Sequence, residues 1–351
     1  MKLYFSLIFL VTFLHSTIIA QQTNVFDHEN YKNQKQAEVH YNNAIKLVQQ
    51  KDYYGAIQTF DQAVILKPDF VKALIERGKA YYKVNQVPQA LENFYNALQY
   101  DPQSGEALFN MAFVKFMQDT ASVNSADFDK AIIYNYEEPF VYYYRGLMKL
   151  LEKDFDGAIA DFSIAIEKDP KYAKAFHDRG TAKRYLTDYQ GAIYDYRLAA
   201  SYDPKLIMAY NNMGICKKKI GDYQGAEHDF NTAITLDTTN YISFNNRGGA
   251  RYILGDFTGA KTDFIKAIEL QPESCEVLCN MAGVIAKEGD YKEAILKYDE
   301  ALKINPDHGI AYLNRGLVNE LLGELDSACS DWKMALELGV TEAENYLKEC
   351  D

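Results

Sequence analysis

The chain has 351 residues, a formal net charge of -12 and an aromatic content of 14%. A net acidic surface is unfavourable for nucleic acid or an anionic membrane, because both require a basic footprint. We therefore predict no nucleic-acid partner, and we interpret the acidity mainly as a contribution to solubility.

The first segment, residues 1–20, has the features of a secretory signal peptide. Lys2 supplies a positive charge, an apolar run extends from Leu3 to Leu14, and Ala20 is a small residue at the expected cleavage point. The run is short for a bilayer span, which needs about 20 residues. We therefore predict cleavage, export to the periplasm or the extracellular space, and no membrane insertion of the mature chain. The alternative is an uncleaved anchor, because Ile18 is larger than the residue usual two positions before a cut.

Residues 21–36 are predicted to form a polar, irregular leader with no fold of its own. From residue 37 onward one pattern recurs every 34 residues. Position 27 of the pattern is always alanine, and position 24 is always aromatic. The alanines are Ala63, Ala97, Ala131, Ala165, Ala199, Ala233, Ala267, Ala301 and Ala335. The aromatic residues are Phe60, Phe94, Phe128, Phe162, Tyr196, Phe230, Phe264, Tyr298 and Trp332. An internal period of this length predicts a solenoid.

Nine repeats follow from this register, and a short terminal segment follows the last of them. The repeats are residues 37–70, 71–104, 105–138, 139–172, 173–206, 207–240, 241–274, 275–308 and 309–342. The third repeat is degenerate, because Asn124 replaces its small residue and Tyr136 replaces its proline. Its second helix is predicted to start late or to be short. Residues 343–351 begin another helix, which we predict to cap the open apolar end.

The repeat 241–274 illustrates the unit. Gly248 and Ala260 are small, which lets two helices approach closely where they cross. Gly255 and Asp256 supply a C-cap and an N-cap for the turn between the helices.

This unit resembles the tetratricopeptide repeat, a helix-turn-helix unit, and the resemblance covers about residues 37–342. It implies an all-α fold, a right-handed α-solenoid superhelix of about nine repeats with a C-terminal capping helix. It also implies a protein or peptide partner.

No catalytic motif is evident in the sequence. It contains no HExxH, no GxSxG, no P-loop and no Rossmann glycine fingerprint. We therefore predict no enzyme activity, no cofactor and no metal. Cys275 and Cys279 have a spacing that suits a metal pair, but no neighbouring histidine completes a site. They are interpreted as small, half-buried residues of a helix.

Two sets of residues are predicted to stabilise the fold. Arginine at position 7 and aspartate at position 23 occur together in four repeats, which predicts a structural ion pair between the two helices of each. The pairs are Arg145 with Asp161, Arg179 with Asp195, Arg247 with Asp263, and Arg315 with Asp331. Near the C-terminus, a disulfide between Cys329 and Cys350 would contribute roughly 3 kcal/mol in an oxidising compartment. Two free thiols are the alternative.

The resemblance also assigns positions 2, 5, 6, 9, 12 and 13 to a concave groove. In repeats 3 and 4 most of these positions are aromatic or, at Leu147 and Leu150, aliphatic, which predicts an exposed partner-binding patch unless the degenerate repeat buries it. The aromatic residues are Phe109, Phe113, Phe116, Tyr143 and Tyr144. In repeats 6 to 9, position 6 is always asparagine, and asparagine also occurs at neighbouring positions and in repeat 3. The asparagines are Asn110, Asn211, Asn212, Asn245, Asn246, Asn280 and Asn314.

A side-chain amide both donates and accepts, so a row of amides can pair with the main chain of an extended peptide. The row is similar to the asparagine ladder of the repeat domain of O-GlcNAc transferase. The alternative is a polar position inherited through repeat duplication.

The predicted function is therefore a non-catalytic scaffold or adaptor that holds a polypeptide segment in its groove within an extracytoplasmic assembly. One alternative is a structural protein that self-associates into a homo-oligomer through the aromatic patch. The other is an accessory subunit of an envelope-modifying enzyme. The signal and the closing segment DWKMALELGVTEAENYLKEC are similar to those of repeat proteins exported by Bacteroidetes-type bacteria.

Overall fold

The computed structural model describes residues 29–348 and residue 350, and this part of the chain contains helices and turns but no strand. The predicted signal segment, residues 1–20, and the leader residues 21–28 lie outside the described residues. The chain divides into two units between Lys168 and Asp169.

Unit 1 contains repeats 1 to 4, each folded as a hairpin of a first helix and a second helix. Its first helix, α1, covers residues 29–49 of the described chain. The other helices are α2 (Tyr53–Leu66), α3 (Val71–Lys83), α4 (Val87–Tyr100), α5 (Gly105–Gln118), α6 (Ser125–Ile133), α7 (Pro139–Leu151) and α8 (Phe155–Lys168).

The described part of the predicted leader is helical, so the expectation of an irregular segment is wrong for residues 29–36. These residues extend α1 by about two turns before its first buried residue, Ala37. The segment contains no glycine or proline, and several of its residues are good helix formers. Extending a helix whose later turns are held by packing is far easier than starting a new one.

Unit 2 contains repeats 5 to 9 and the C-terminal segment. Its helices are α9 (Ala173–Tyr185), α10 (Tyr189–Tyr202), α11 (Ile207–Lys219), α12 (Tyr223–Leu236), α13 (Tyr241–Leu254), α14 (Phe257–Leu270), α15 (Cys275–Lys287), α16 (Tyr291–Ile304), α17 (Gly309–Leu321), α18 (Leu325–Glu337) and α19 (Glu344–Leu347). Within each unit, a first helix packs on the second helix of its own hairpin and on that of the preceding repeat.

The small residue at position 8 makes room for the aromatic ring of the same repeat. In repeat 7, a Cβ added to Gly248 would lie 2.7 Å from the ring of Phe264. That ring is 1% exposed. A buried ring of this size contributes strongly to the core, so the glycine and the ring form one packing unit.

The turn inside repeat 7 has the predicted capping chemistry. Gly255 adopts φ 84°, a left-handed conformation that glycine adopts without steric cost. The Asp256 carboxylate then accepts a hydrogen bond of 2.9 Å from the backbone N–H of Gly259. Both ends of the turn are therefore satisfied by residues that the sequence repeats in neighbouring hairpins.

Repeat 3 departs from the pattern as its sequence predicts. Its second helix, α6, has 9 residues, whereas α14 of repeat 7 has 14. A short 3-10 turn, Thr120–Ser122, precedes it. The Asp127 carboxylate accepts a hydrogen bond of 3.1 Å from the backbone N–H of Asn124, which fixes the late start of the helix.

The C-terminal segment is less helical than predicted. In place of one helix over residues 343–351, the described residues form a 3-10 turn, Thr341–Ala343, and the four-residue helix α19. So short a helix is not stable by itself. It is held from outside, because Tyr346 stacks on Trp332 with ring centroids 5.3 Å apart and Cys350 is bonded to Cys329.

Candidate functional site: an asparagine-lined cavity

A cavity of about 730 Å³ lies in unit 2 among the first helices of repeats 7, 8 and 9. Most of its lining comes from positions 5, 6, 9, 12 and 13, which the family resemblance assigned to the groove. Three asparagines of the predicted row, Asn246, Asn280 and Asn314, line it together with Asn245. We call this feature the asparagine cavity.

The amides of the cavity keep hydrogen-bonding capacity. Asn280 is exposed, and its Nδ2 donates a hydrogen bond of 2.8 Å to Oδ1 of Asn245. Among the described residues, the side chains of Asn246 and Asn314 have no hydrogen-bonding partner. Unpaired amide groups at the wall of a cavity provide donors and acceptors for a ligand.

Two glycines give the cavity its depth. Gly249 and Gly283 occupy position 9, which faces the groove. A Cβ on Gly283 would meet only the hydroxyl of Tyr298, at 3.9 Å, and a Cβ on Gly249 would approach Nζ of Lys218 to 3.1 Å. Because neither glycine carries a side chain, the space between the asparagines stays open.

The polar lining of the cavity is cationic or neutral. Lys218 and Lys287 contribute the only charged side chains among its described lining residues. Lys218 is half-buried, and this burial, together with the nearby Lys219, lowers the pKa of its ammonium group. Comparing the repeats with one another did not reveal either lysine, although the adjacent glycines at positions 8 and 9 of repeat 7 were a signal of open space.

The remaining asparagines are not free for a ligand in the way the sequence predicted. Asn212 lies outside the cavity, and its Nδ2 is 3.0 Å from Nε2 of His177. Asn211 is 8% exposed and donates to Oγ of Ser243 at 2.9 Å, between α11 and α13. It packs inward because position 5 faces the neighbouring first helix as well as the groove.

Asn110 is also buried, and the prediction that it binds a peptide is wrong. It is 8% exposed, and its Nδ2 donates a hydrogen bond of 2.8 Å to the carbonyl of Glu106 in its own helix. In unit 1, therefore, this position has a structural role.

The aromatic residues of repeats 3 and 4 form a packed cluster, so the expectation of an exposed patch is wrong. Phe109 is 5% exposed and Tyr143 is 7% exposed, and Phe113, Phe116 and Tyr144 are half-buried. We call these five residues the aromatic cluster.

The rings of the aromatic cluster pack on one another and on neighbouring rings. Phe109 lies with its ring centroid 4.9 Å from that of Phe140, and Tyr144 lies 5.0 Å from Phe113. Burial raises the pKa of the Tyr144 hydroxyl. Phe109 also lies 6.0 Å, between ring centroids, from Phe128 of the short helix α6.

The four Arg–Asp pairs are present as bidentate contacts. In each pair, Nε and Nη2 of the arginine donate to the two carboxylate oxygens at 2.5–2.9 Å. The four aspartates, Asp161, Asp195, Asp263 and Asp331, are between 0% and 5% exposed. Parallel paired bonds of this kind to a buried carboxylate are strong and geometrically specific.

The structure adds two partners to the pair of Arg247 and Asp263 that comparing the repeats with one another did not reveal. Arg247 also donates through Nη1 to Oδ1 of Asn231, at position 25 of the preceding repeat, at 2.7 Å. Arg251, at position 11, donates to Oδ2 of Asp263 at 3.0 Å. Charged or amide side chains recur at positions 11 and 25, and this recurrence was the available signal. The ion-pair network therefore connects adjacent repeats as well as the two helices of one repeat.

The ion pair by itself predicts that exchanging Arg247 and Asp263 restores the stability that either single change to Ala removes, but the network changes this expectation. An arginine at position 263 would face Arg251, which is a repulsive contact in a half-buried place. The exchanged protein is therefore not expected to recover the stability of the wild type.

The cysteines fall into two groups. Cys329 and Cys350 form a disulfide with Cα atoms 5.7 Å apart, whereas Cys216, Cys275 and Cys279 are buried thiols. Burial raises the pKa of the Cys216 thiol to about 11. His308 lies close to Cys275 and Cys279, although the sequence comparison found no neighbouring histidine for this pair. It was missed because it is the last residue of the repeat, separated from the two cysteines along the chain by the second helix, α16.

Models of known protein families match several of these repeats. The family described as "Tetratricopeptide repeat" matches residues 209–240 and 242–274, and the family described as "TPR repeat" matches residues 284–323. The chain contains tetratricopeptide repeats.

A relative, tetratricopeptide repeat protein 16 of Mus musculus, is 28% identical over 93 residues, which are 26% of this chain and 12% of that protein. The match thus spans a small part of that relative's length.

Two solved structures show the same all-α fold. The structure of PilF from Pseudomonas aeruginosa is 23% identical, covers 60% of this chain and 97% of that chain, and has a TM-score of 0.52. The APC/C hetero-tetramer Cut9–Hcn1 is 13% identical, covers 89% of this chain and 75% of that chain, and has a TM-score of 0.57. The fold is a solenoid of helical hairpins. Within the described part of the chain, every helix is too short or too polar to cross a membrane.

Proposed function

We propose that this protein is a non-catalytic scaffold that holds a segment of a partner polypeptide in the asparagine cavity, within an extracytoplasmic assembly. Proteins built from tetratricopeptide repeats are generally non-catalytic modules for protein interaction. The observation that carries the proposal is the convergence of Asn246, Asn280 and Asn314 on one cavity. A volume of about 730 Å³ lies within the range of known ligand sites.

The spacing of the asparagines fits an extended main chain. Neighbouring packed helices lie about 8–10 Å apart, and an extended chain rises about 3.3 Å per residue. Successive asparagines therefore meet peptide groups about three residues apart. Since each amide both donates and accepts, it pairs with backbone N–H and C=O groups and places little demand on the side chains of the partner.

The charge of the cavity restricts the partner further. Lys218 and Lys287 stand in the wall, and the described lining contains no carboxylate. A segment with a basic side chain at this point is disfavoured by repulsion, whereas an acidic or neutral segment is accepted. The preferred ligand is thus a neutral or acidic polypeptide segment in extended conformation.

Two features support the extracytoplasmic part of the proposal. Residues 1–20 have the pattern of a secretory signal. The disulfide between Cys329 and Cys350 is of the kind that persists in oxidising compartments. Self-association through the aromatic cluster loses its basis, because none of those five side chains is exposed.

Site-specific photocrosslinking in the cells that make the protein tests the proposal. A photoreactive residue replaces Leu321, which lines the cavity and is 62% exposed. The same residue replaces Lys303 on α16 as the matched control, because Lys303 is exposed and lies outside the cavity lining. We expect protease-sensitive crosslinked products from position 321 and few from position 303.

The asparagines are then tested in the Leu321 background. Changing Asn246, Asn280 and Asn314 to Ala should reduce the crosslinked products at least about tenfold. Changing Thr258, Lys292 and Lys303 to Ala, three exposed residues of α14 and α16, should leave the products unchanged. Undiminished crosslinking of the asparagine variant would show that the cavity does not hold the partner through these amides.

A further inference from the structure

We propose that Cys275, Cys279 and His308 form a binding site for a zinc ion, with a water molecule as the fourth ligand. Zinc is held in proteins by thiolates and imidazoles in tetrahedral geometry, and three protein ligands with one open position are a common arrangement. The proposal does not rest on the peptide-binding function, although Cys279 also lines the asparagine cavity.

The three side chains converge although they lie at opposite ends of repeat 8, residues 275–308. Cys275 and Cys279 lie on successive turns of α15, so their side chains are on one face of the helix. His308 is the N-cap of α17, the first helix of the next repeat. The two sulfur atoms and a ring nitrogen all lie within 4.8 Å of one another. A tetrahedral zinc site with Zn–S bonds of about 2.3 Å requires sulfurs about 3.8 Å apart, so small side-chain rotations complete the geometry.

The charge balance suits the surroundings of the site. Cys275 and Cys279 belong to the hydrophobic core of unit 2 and are 8% and 7% exposed. Each thiol releases its proton to solvent when it binds, so one Zn²⁺ with two thiolates and a neutral imidazole is uncharged overall. The ion therefore places no unpaired charge in the core, unlike a lone thiolate or an unliganded cation.

The histidine must change partner when the ion binds. Nδ1 of His308 accepts a hydrogen bond of 3.1 Å from the backbone N–H of Ala311, so the proton of the neutral ring is on Nε2. Binding of the ion breaks this capping bond whichever ring nitrogen coordinates, because Nδ1 then carries either the ion or the proton displaced from Nε2. The loss of one capping bond is small compared with the free energy of a zinc site that includes two thiolates.

The disposition of the other cysteines is consistent with the proposal. Cys329 and Cys350 are paired with each other, so neither thiol of the site has a disulfide partner outside it. Cys216 is a buried thiol that is not part of the group. It provides a matched control for the loss of one buried sulfur.

The experiment titrates the full mature chain, prepared without air and with its disulfide intact, with Co²⁺ and then with Zn²⁺. The wild type and Cys216→Ser should bind one Co²⁺ per chain with thiolate-to-cobalt charge-transfer bands and tetrahedral visible bands. Zn²⁺ should displace the cobalt and remove these bands. The variant with Cys275→Ser and Cys279→Ser should lose the charge-transfer bands.

His308→Asn separates the ligand role from the capping role, because asparagine is itself a good N-cap. This variant should fold as the wild type does without metal, by circular dichroism and thermal midpoint, but bind Co²⁺ at least about tenfold more weakly. Zn²⁺ should raise the thermal midpoint of the wild type and not that of the double cysteine variant.

Three outcomes would overturn the proposal. One is that the wild type gives no charge-transfer band at a tenfold excess of Co²⁺. Another is that His308→Asn binds as tightly as the wild type. The third is that mass spectrometry of the native chain shows Cys275 and Cys279 joined as a disulfide.

Discussion

The aromatic cluster of repeats 3 and 4 and the asparagine cavity of repeats 7 to 9 use the same positions of the same repeat. Position 9 is Phe113 in repeat 3, whereas it is Gly249 in repeat 7 and Gly283 in repeat 8. In the cluster, rings at positions 5 and 9 pack on one another and close the surface. In the cavity, glycine at position 9 leaves open space between the amides.

The repeat backbone therefore does not decide where a ligand binds. The side chains at groove-facing positions decide whether the face becomes a core or a site. Buried rings contribute to stability, and unpaired amides at an open wall contribute to recognition. Substitutions in the two regions should therefore have opposite consequences for stability and for binding.

The largest expected effect is on the stability of the cluster. Phe109→Ala removes a ring that is 5% exposed and should lower the free energy of unfolding by about 4 kcal/mol, because a large core cavity is left. Asn280→Ala, at an exposed amide of the cavity, should change it by less than about 0.5 kcal/mol. Urea denaturation followed by circular dichroism measures both. Equal losses for the two variants would remove the distinction between the regions.

The next effect concerns the ion-pair network beside the cavity. Asp263→Asn leaves Arg247 and Arg251 without their buried carboxylate and should destabilise the protein by about 3 kcal/mol. Asp229 holds the same position in repeat 6, but Met213 stands where other repeats have arginine, and Lys217 is its ionic partner at 2.8 Å. Asp229→Asn should therefore cost less than about 1 kcal/mol in the same denaturation experiment. A larger loss for Asp229→Asn than for Asp263→Asn would contradict this ranking.

Substitutions of two glycines are expected to change the stability by smaller amounts and in opposite directions. Gly283→Ala should stabilise the protein by about 0.5–1 kcal/mol, because a Cβ fits there and alanine is the better helix former. Gly248→Ala should destabilise it by about 1–3 kcal/mol, because its Cβ would lie 2.7 Å from the Phe264 ring. Thermal unfolding of the two variants tests the difference. A loss of stability in Gly283→Ala would show that position 9 is closely packed after all.

The smallest expected effect is a pH dependence. Burial raises the pKa of Asp229 above its usual value, in spite of the opposing effect of Lys217. The folded protein then binds more protons than the unfolded chain between the two pKa values, so stability contributed by this group is lost as pH rises through that window. The Asp229→Asn variant has no carboxyl group here and does not lose stability in this way. Its stability relative to the wild type should therefore increase from about pH 4 toward neutral pH. Urea denaturation of the wild type and of Asp229→Asn across this pH range tests the prediction. If the stability of Asp229→Asn relative to the wild type decreased with pH, the result would contradict the raised pKa of Asp229.

The fold was largely predictable, because the residues that determine the hairpin recur at the same positions of the repeats. Alanine at position 27 and an aromatic residue at position 24 fixed the register of every hairpin. The short second helix of repeat 3 followed from its segment around Asn124. The leader and the terminal helix were less predictable. Residues 29–36 became helical by extending a packed helix, and the C-terminal segment is held by Trp332 and a disulfide instead of by its own helical bonds.

The candidate site was predictable only in part. The row of asparagines at position 6 pointed to the region of the cavity, but it did not show that Asn212 bonds to His177 or that Asn211 packs inward. The aromatic residues of repeats 3 and 4 had the composition of a binding patch. Their packing on one another depends on ring positions in adjacent helices, which one sequence does not specify.

The repeat, its length, its capping turns and its Arg–Asp pairs could be inferred from the residues alone, because they depend on contacts inside one hairpin or at a constant spacing along the chain. The tertiary structure decided which groove positions are open, which amides remain unpaired, and that His308 lies beside Cys275 and Cys279. These properties depend on how side chains of different helices share space, and that is settled only when neighbouring helices pack against one another.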